Sequence, residues 1–539
     1  MIRFALVMLI CLITLSGPVD AWAGTPGAGA AADASYETLA SAVLSDYFRR
    51  HPTHATDLGL HEFDDRLEDY SRAAVAADLA SMKDFRRRLE AVEPSVLERD
   101  ERLDRDFLLH VLEGEILRAE SVRAWEKDPD IYSSGITNSA YSLIKRDFAP
   151  AAQRMRSLIA RQRSMPQALQ EARRNLVAPA RIYTEIALEQ LDGNIDFFRS
   201  AVVEAFAGVG DPALQGEFHR TNDAVIEALE DYRDWLRKDL LPRSGADFAI
   251  GPELYRRLLS ADEMVDLPLA RLLEIAENDL RRNQAALVAT ARRIDAARDP
   301  REVLASLQQD HPAPDALLAT TQSELDALAH FLTERAIVTI PRAEPARVVE
   351  TPPFMRSTTS AAMDTPGPFE KPGMPGYYFM TLPDPAWSAA QTEDFMRQWY
   401  RALITNVSVH EVWPGHYLQF LYSPQYPSDV RKVFYSSANA EGWAHYCEEM
   451  VIDEGFRAGD DAYRLAQLQD ALLRDARFVV GIRMHTAGMT VEEAKAFFER
   501  EGYQPGPVAE SEAKRGTSDP LYGYYTLGKL VIFKLRDDY

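Results

Sequence analysis

The stretch "LLEIAENDLRRNQAALVATARRI" (Leu272–Ile294) decides the fold class of this chain. Apolar residues recur at three- and four-residue spacing with charged side chains between them. That is the period of an amphipathic helix and not of a strand. Outward from it, "LQGEFHRTNDAVIEALEDYRDWLRKDL" (Leu214–Leu240) behaves the same way, and helical patterning runs almost throughout from about Tyr36 to Glu334. The composition changes at Ala336. "AIVTI" (Ala336–Ile340), "ARVVE" (Ala346–Glu350) and "YYFMTL" (Tyr377–Leu382) are rich in β-branched and aromatic residues and predict short strands. "TPGPFEKPGMPG" (Thr365–Gly376) reads as a Pro/Gly loop, and helical patterns resume near Gln391. The expected fold is mainly α: a helical N-terminal region over 36–345, a small β-sheet, and a helical C-terminal region over 346–539 that carries the chemistry.

The chain has 539 residues, enough for a large core, and its 46% hydrophobic and 27% charged content is ordinary for a soluble globular enzyme. A net charge of −23 argues against a nucleic-acid partner, which requires a basic face. Arg3, the apolar run "FALVMLICLITL" (Phe4–Leu15) and small residues at Ala21 and Ala23 form a secretory signal over 1–23, with cleavage expected before Gly24. Cys11 is preceded by Ile10 where lipid attachment wants a small residue, so a lipid anchor is not expected. Residues 24–35 are Gly/Ala-rich and read as a disordered linker. Cleavage leaves Cys447 alone, so no intramolecular disulfide is expected. No other segment is apolar enough to span a bilayer. The expected location is the periplasm or the exterior, without stable membrane insertion.

"HEVWPGH" (His410–His416) holds a histidine pair with unusual spacing. Positions four apart on a helix differ by about 40° and share a face, whereas positions six apart differ by about 240°. A regular helix cannot aim His410 and His416 at one ion. Pro414 lies four residues after His410, where its ring meets that carbonyl, and Gly415 tolerates unusual backbone angles. Together they are expected to widen the helix and swing His416 back. "ANAEGWAHYCEEM" (Ala438–Met450) then supplies Glu441. Two imidazoles and one carboxylate are a ligand count of catalytic zinc sites, which keep a further position for water. Glu411 stands beside His410, where it can serve as general base on that water.

These motifs, with "RFVVGIRMHTAGMTVEEA" (Arg477–Ala494) and "KRGTSDPLYGYYTLGKL" (Lys514–Leu530), resemble the bacterial family catalogued as domain of unknown function 885. That family is similar to metallopeptidases with two-His, one-Glu zinc sites. The resemblance covers essentially the whole mature chain and implies a large helical, oligopeptidase-like fold around a deep cleft. It also implies one zinc ion held by His410, His416 and Glu441, and Glu411 as the base. Gly481, where many members have Asp, and Asp519-Pro520-Leu521, where many have Pro-Gly-Gln, depart from the family pattern in the expected substrate wall.

Hydrolysis develops negative charge on the former carbonyl oxygen, and a phenol or imidazole aimed there would stabilise it. Tyr525, which corresponds to the family tyrosine before Gly528, and His485 are the candidates; packing explains His485 equally well. His445 and Glu448 share a helix face with Glu441 and are candidates to orient the zinc ligands. Arg515 is a candidate to bind a peptide carboxylate, while Arg483 reads better as an ordinary ion pair. "GYYFM" (Gly376–Met380), with Tyr377 and Tyr378 as candidate substrate-binding residues, reads either as an edge strand that pairs with an extended peptide or as a buried sheet strand. Ser436 and Ser437 have no G-x-S-x-G elbow around them and are set aside. The expected function is zinc-dependent hydrolysis of short peptides. Two rivals are a non-catalytic periplasmic peptide-binding protein and a di-iron helical bundle. The latter wants two Glu-x-x-His pairs, whereas Glu441 and His445 are four apart and no symmetric second pair is evident.

Overall fold

The computed structural model describes residues 35–539, apart from 178, 342–344, 353–354 and 357–358. The expected signal peptide and, Ser35 excepted, the expected linker lie outside the described residues. The helix over Leu269–Ile294 buries Leu272, Ala276, Leu280, Leu287 and Ala291 along one stripe. Each leucine contributes about 1.5–3 kcal/mol by leaving water. The stripe packs on the helix over Asp461–Thr486, most of whose 26 residues are buried on all sides. That C-terminal helix is therefore a central post rather than an amphipathic surface helix. Three buried polar residues, Asp279, Asn283 and Thr290, interrupt the stripe, and each finds a partner; Thr290 accepts from Arg293 at 3.1 Å. Asn283 donates to Asp475 at 2.7 Å, and Asp279 lies 3.3 Å from the wholly buried Lys529 ammonium. One hydrophobic cluster contains Leu272 and Leu287 from the N-terminal half with Leu468, Val479 and Phe498 from the C-terminal half. Residues Tyr36–Tyr539 accordingly form one compact unit.

The protein is mainly α-helical with one small mixed sheet. Its strands are β1 (Arg347–Glu350), β2 (Ala361–Asp364) and β3 (Tyr377–Met380), in the order β1-β3-β2. β3 runs parallel to β1, pairing Val348 with Tyr378, and antiparallel to β2, pairing Met363 with Tyr378. Two expectations are corrected here. Ala336–Ile340 is not a strand. The helix over Leu317–Glu334 ends there with Ala336 in the left-handed region (φ 51°), and Ile337, Val338 and Ile340 pack as irregular chain against the core. The strand over Tyr377–Met380 is central, not an edge. Tyr378 is fully buried and Tyr377 sits under the Arg146 guanidinium, so neither strand face nor strand edge is open to a peptide there. The edge beside the histidines is β2, whose "AAMD" carries little strand propensity. Among the described residues, no helix is long and apolar enough to cross a membrane.

Candidate metal centre

His410 and Glu411 are the last two residues of the helix over Arg401–Glu411, and His416 begins the next, His416–Leu421. The expected widened helix is corrected: the helix stops and restarts. Residues 412–415 fold back so tightly that the Gly415 amide donates to the Val409 carbonyl, six residues earlier, at 3.0 Å. A Cβ on Gly415 would lie 1.8 Å from the His410 carbonyl oxygen, so no other residue fits. This reversal brings the two imidazole centroids to 4.8 Å at near-right angles.

Glu441 lies in the first turn or so of the helix over Ser437–Asp453. Its Oε2 is 3.1 Å from His416 Nε2 and 3.3 Å from His410 Nε2. Ligand atoms of these three residues all lie within 4.8 Å of one another, so they could together hold a metal ion. Burial would raise the Glu441 carboxyl, but His416 and His410 outweigh it and hold it well below the usual carboxylate range. Glu411, next to His410 in the chain, accepts the Met363 amide of β2 through Oε2 at 2.9 Å.

Behind His410 stands the wholly buried Glu448, accepting from His410 Nδ1 at 2.7 Å. Arg474 and Asn406, each 3.2 Å away, and His445 at 3.3 Å complete its partners. Burial would raise Glu448, but Arg474, His445 and His410 hold it ionised. Burial and Arg474 oppose a charge on His410, yet Glu441 and Glu448 carry its pKa up to about 9. The arrangement leaves Nε2 as the atom His410 presents to an ion, with Nδ1–H fixed by a carboxylate. His445 is turned to Glu448 at 3.3 Å and does not reach the ligands; burial, with Lys529 beside it, pushes its pKa down to about 3. Glu448→Gln is expected to weaken zinc affinity by roughly 10–100-fold, read by competition with a fluorescent chelator. Unchanged affinity would remove Glu448 from the site.

Tyr525 lies with its ring centroid 6.1 Å from that of His410. Burial, and then the Glu441 charge, raise its pKa, which keeps the phenol protonated and able to donate. Arg477 and Arg474 lie over its ring at 4.8 and 5.6 Å, and Arg515 donates toward its hydroxyl at 3.4 Å. Arg515 also serves Asp519 and the Tyr524 hydroxyl, both at 3.1 Å, so its guanidinium already has partners at the site's edge. His485 is corrected out of the site. It is eleven residues beyond Arg474 on one helix, roughly 16 Å at 1.5 Å per residue. Its Nε2 is bonded to the Gly516 carbonyl at 2.7 Å. Arg483 pairs with Glu277 at 2.7 Å. Ser436 caps the Glu441 helix through the Asn439 amide and donates to Glu263 at 2.5 Å, and no serine nucleophile is built there.

Several residues not anticipated from sequence hold this arrangement. Trp443 Nε1 donates to the Pro414 carbonyl at 2.9 Å, clamping the reversal to the Glu441 helix. Gly442 and Gly528 face each other so closely that a Cβ on Gly442 would lie 2.4 Å from Gly528 Cα, and one on Gly528 1.8 Å from the Ala438 carbonyl oxygen. Backbone-to-backbone packing of the Ser437–Asp453 helix on the helix over Tyr524–Asp538 sets Tyr525 beside Glu441.

Residues 52–539 match the model of a family described as "Bacterial protein of unknown function (DUF885)". The chain belongs to the DUF885 family. Among solved structures, a "putative lipoprotein of unknown function" from Shewanella oneidensis is 26% identical with a TM-score of 0.77, and the match covers 94% of each chain. A second protein described the same way as a lipoprotein, from Colwellia psychrerythraea, is 17% identical with a TM-score of 0.72 over 94% of this chain and 93% of that one. It shows a shared fold. No curated protein matches this DUF885 chain.

Proposed function

We propose that this DUF885 protein is a zinc-dependent peptidase of the bacterial envelope that hydrolyses short peptides. The observation that carries the reading is the convergence of two imidazole Nε2 atoms on one Glu441 oxygen, with the Glu411 carboxylate next in the chain. Two nitrogens and a carboxylate suit zinc better than the hard cations, and the buried carboxylate behind His410 is the partner a zinc-binding imidazole wants. His410, His416 and Glu441 would hold the ion. Zinc, when bound, supplies a Lewis acid that polarises a carbonyl and makes a water acidic near neutral pH.

The chain's own groups divide the rest of the work. Glu411 takes the proton of the attacking water and returns it to the leaving amine. Tyr525, protonated and beside His410, donates to the oxygen on which charge develops. Met363 turns its amide away from β3 toward Glu411, so the outer edge of β2 borders the site and offers backbone groups to an extended peptide. The apolar leader, and the description of the Shewanella oneidensis relative as a lipoprotein, support an envelope location. The di-iron alternative is disfavoured because His445 faces Glu448 rather than Glu441.

Treatment with a strong chelator followed by its removal is expected to abolish cleavage of a quenched-fluorescence peptide library, and stoichiometric zinc to restore it. Full cleavage by protein shown to be metal-free would refute the proposal.

A further inference from the structure

Two cavities flank the short segment that leads into the Glu441 helix, and Tyr435 lines both. They differ in chemistry. The larger, about 490 Å³, carries Glu115, Asp262, Glu263 and Asp519 against Arg118. The smaller, about 310 Å³, contains charged groups whose charges are already closed within the protein. Lys145 lies 2.9 Å from Asp57 and 3.4 Å from Asp364, Lys432 lies 2.9 Å from Asp429, and Arg431 lies 2.5 Å from Asp104. His54 is bonded to the Tyr47 hydroxyl at 2.8 Å, and burial lowers its pKa. Besides the uncharged polar Thr365, Gln419, Ser423 and Asn439, the smaller cavity presents an apolar and aromatic surface: Leu58, Met363, Pro366, Phe420, Tyr426 and Tyr435.

This cavity adjoins the metal centre. Met363 is the residue bonded to Glu411, and Ala440, also in the lining, precedes Glu441. The Phe420 ring stacks on His416 at 6.1 Å and meets the Tyr435 ring edge-on at 5.5 Å. Tyr435 is 62% exposed while Phe434, Ser436 and the Phe420 ring it meets are half-buried, so its ring is a wall and not a core residue.

We propose that the smaller cavity is a specificity pocket for a bulky apolar side chain, aromatic above all, on a residue flanking the scissile bond, and that Tyr435 sets this preference. The proposal rests on the peptidase reading. A benzene ring fills an engineered cavity of about 150 Å³, so this one has room for an aromatic side chain and the backbone that carries it. A charged side chain would find no unpaired counter-charge and would lose its hydration without return. Phe420 and Tyr435, set edge to face, offer an incoming ring the geometry aromatic groups prefer.

The test uses zinc-loaded protein and peptides that differ only at the residues flanking the cleaved bond: Phe, Leu, Ala, Lys or Glu. Phe is expected to exceed Ala by about 10²-fold in kcat/KM, the scale on which apolar pockets discriminate. Tyr435→Ala should cut that ratio about tenfold, and Tyr435→Phe should keep it. In parallel, calorimetry on metal-free protein should show binding of N-acetyl-phenylalanine amide, none of the alanine amide, and loss of the difference in Tyr435→Ala. A preference for Lys or Glu, or equal rates for all five peptides, overturns the pocket. Tyr435-dependent aromatic binding without cleavage of any peptide keeps the pocket and removes the peptidase reading instead.

Discussion

Glu411→Gln is expected to retain one zinc per chain while peptide hydrolysis falls by roughly 10²–10⁴-fold, the range of a lost general acid–base group. The amide keeps the shape of the side chain and can still contact the Met363 amide through its carbonyl oxygen, which Glu411 Oε2 meets at 2.9 Å. It cannot accept a water proton as a carboxylate does. Glu411 is not among the three converging side chains, so its replacement leaves the two Nε2 atoms and the Glu441 oxygen in place. The separation of metal content from turnover is the informative outcome. Near-normal turnover in zinc-loaded Glu411→Gln would exclude Glu411 as the base. Loss of zinc would place Glu411 among the ligands.

Tyr525→Phe should lower kcat by about 10²-fold, equivalent to about 3 kcal/mol, with little change in KM. The hydroxyl is assigned to an oxygen whose charge grows only in the transition state, so ground-state binding loses little when it is removed. The ring remains, and with it the contacts to His410 at 6.1 Å and to Arg477 at 4.8 Å, so stability and zinc content should hold. Tyr524→Phe and Tyr522→Phe are internal controls of different kinds. The Tyr524 hydroxyl is engaged by Asp519 at 3.0 Å, and Tyr522 is wholly buried against Gly516 and Gly481. Full kcat in Tyr525→Phe, with loss in Tyr524→Phe, would move the donor one residue.

The helical stripe over Leu272–Ile294 was legible because burial on one side imposes a period that survives three polar exceptions, Asp279, Asn283 and Thr290. "AIVTI" misled because β-branched composition describes a residue's comfort in a sheet and says nothing of whether a partner strand lies beside it. "AAMD" became a strand for the opposite reason: its pairing with Phe379 and Met380 and the Glu411 bond place it there without help from propensity. At the candidate metal centre, the histidine pair, Glu441 and the i+7 relation to Glu448 could be read directly from spacing. The route of the backbone could not. Proline and glycine announced a departure from helix, but only the approach of Gly415 to the His410 carbonyl shows that the chain reverses. Asn406 was within reach of the same spacing argument, four residues before His410. Arg474 and the Gly442–Gly528 contact were not, because their partners lie far along the chain and no local period links them. His485 failed because proximity in a motif is not proximity in space when the motif lies along a straight helix.

Metal content of the purified protein bears most directly on the central claim. Elemental analysis after zinc loading and desalting is expected to give one zinc per wild-type chain and, at the same protein concentration, essentially none in Glu441→Ala, because two imidazoles alone hold a divalent ion poorly. Circular dichroism of both proteins confirms that the comparison is between folded chains. A folded wild-type protein that retains no zinc, one that carries two irons, or a Glu441→Ala variant that binds stoichiometric zinc with unchanged affinity would contradict the account.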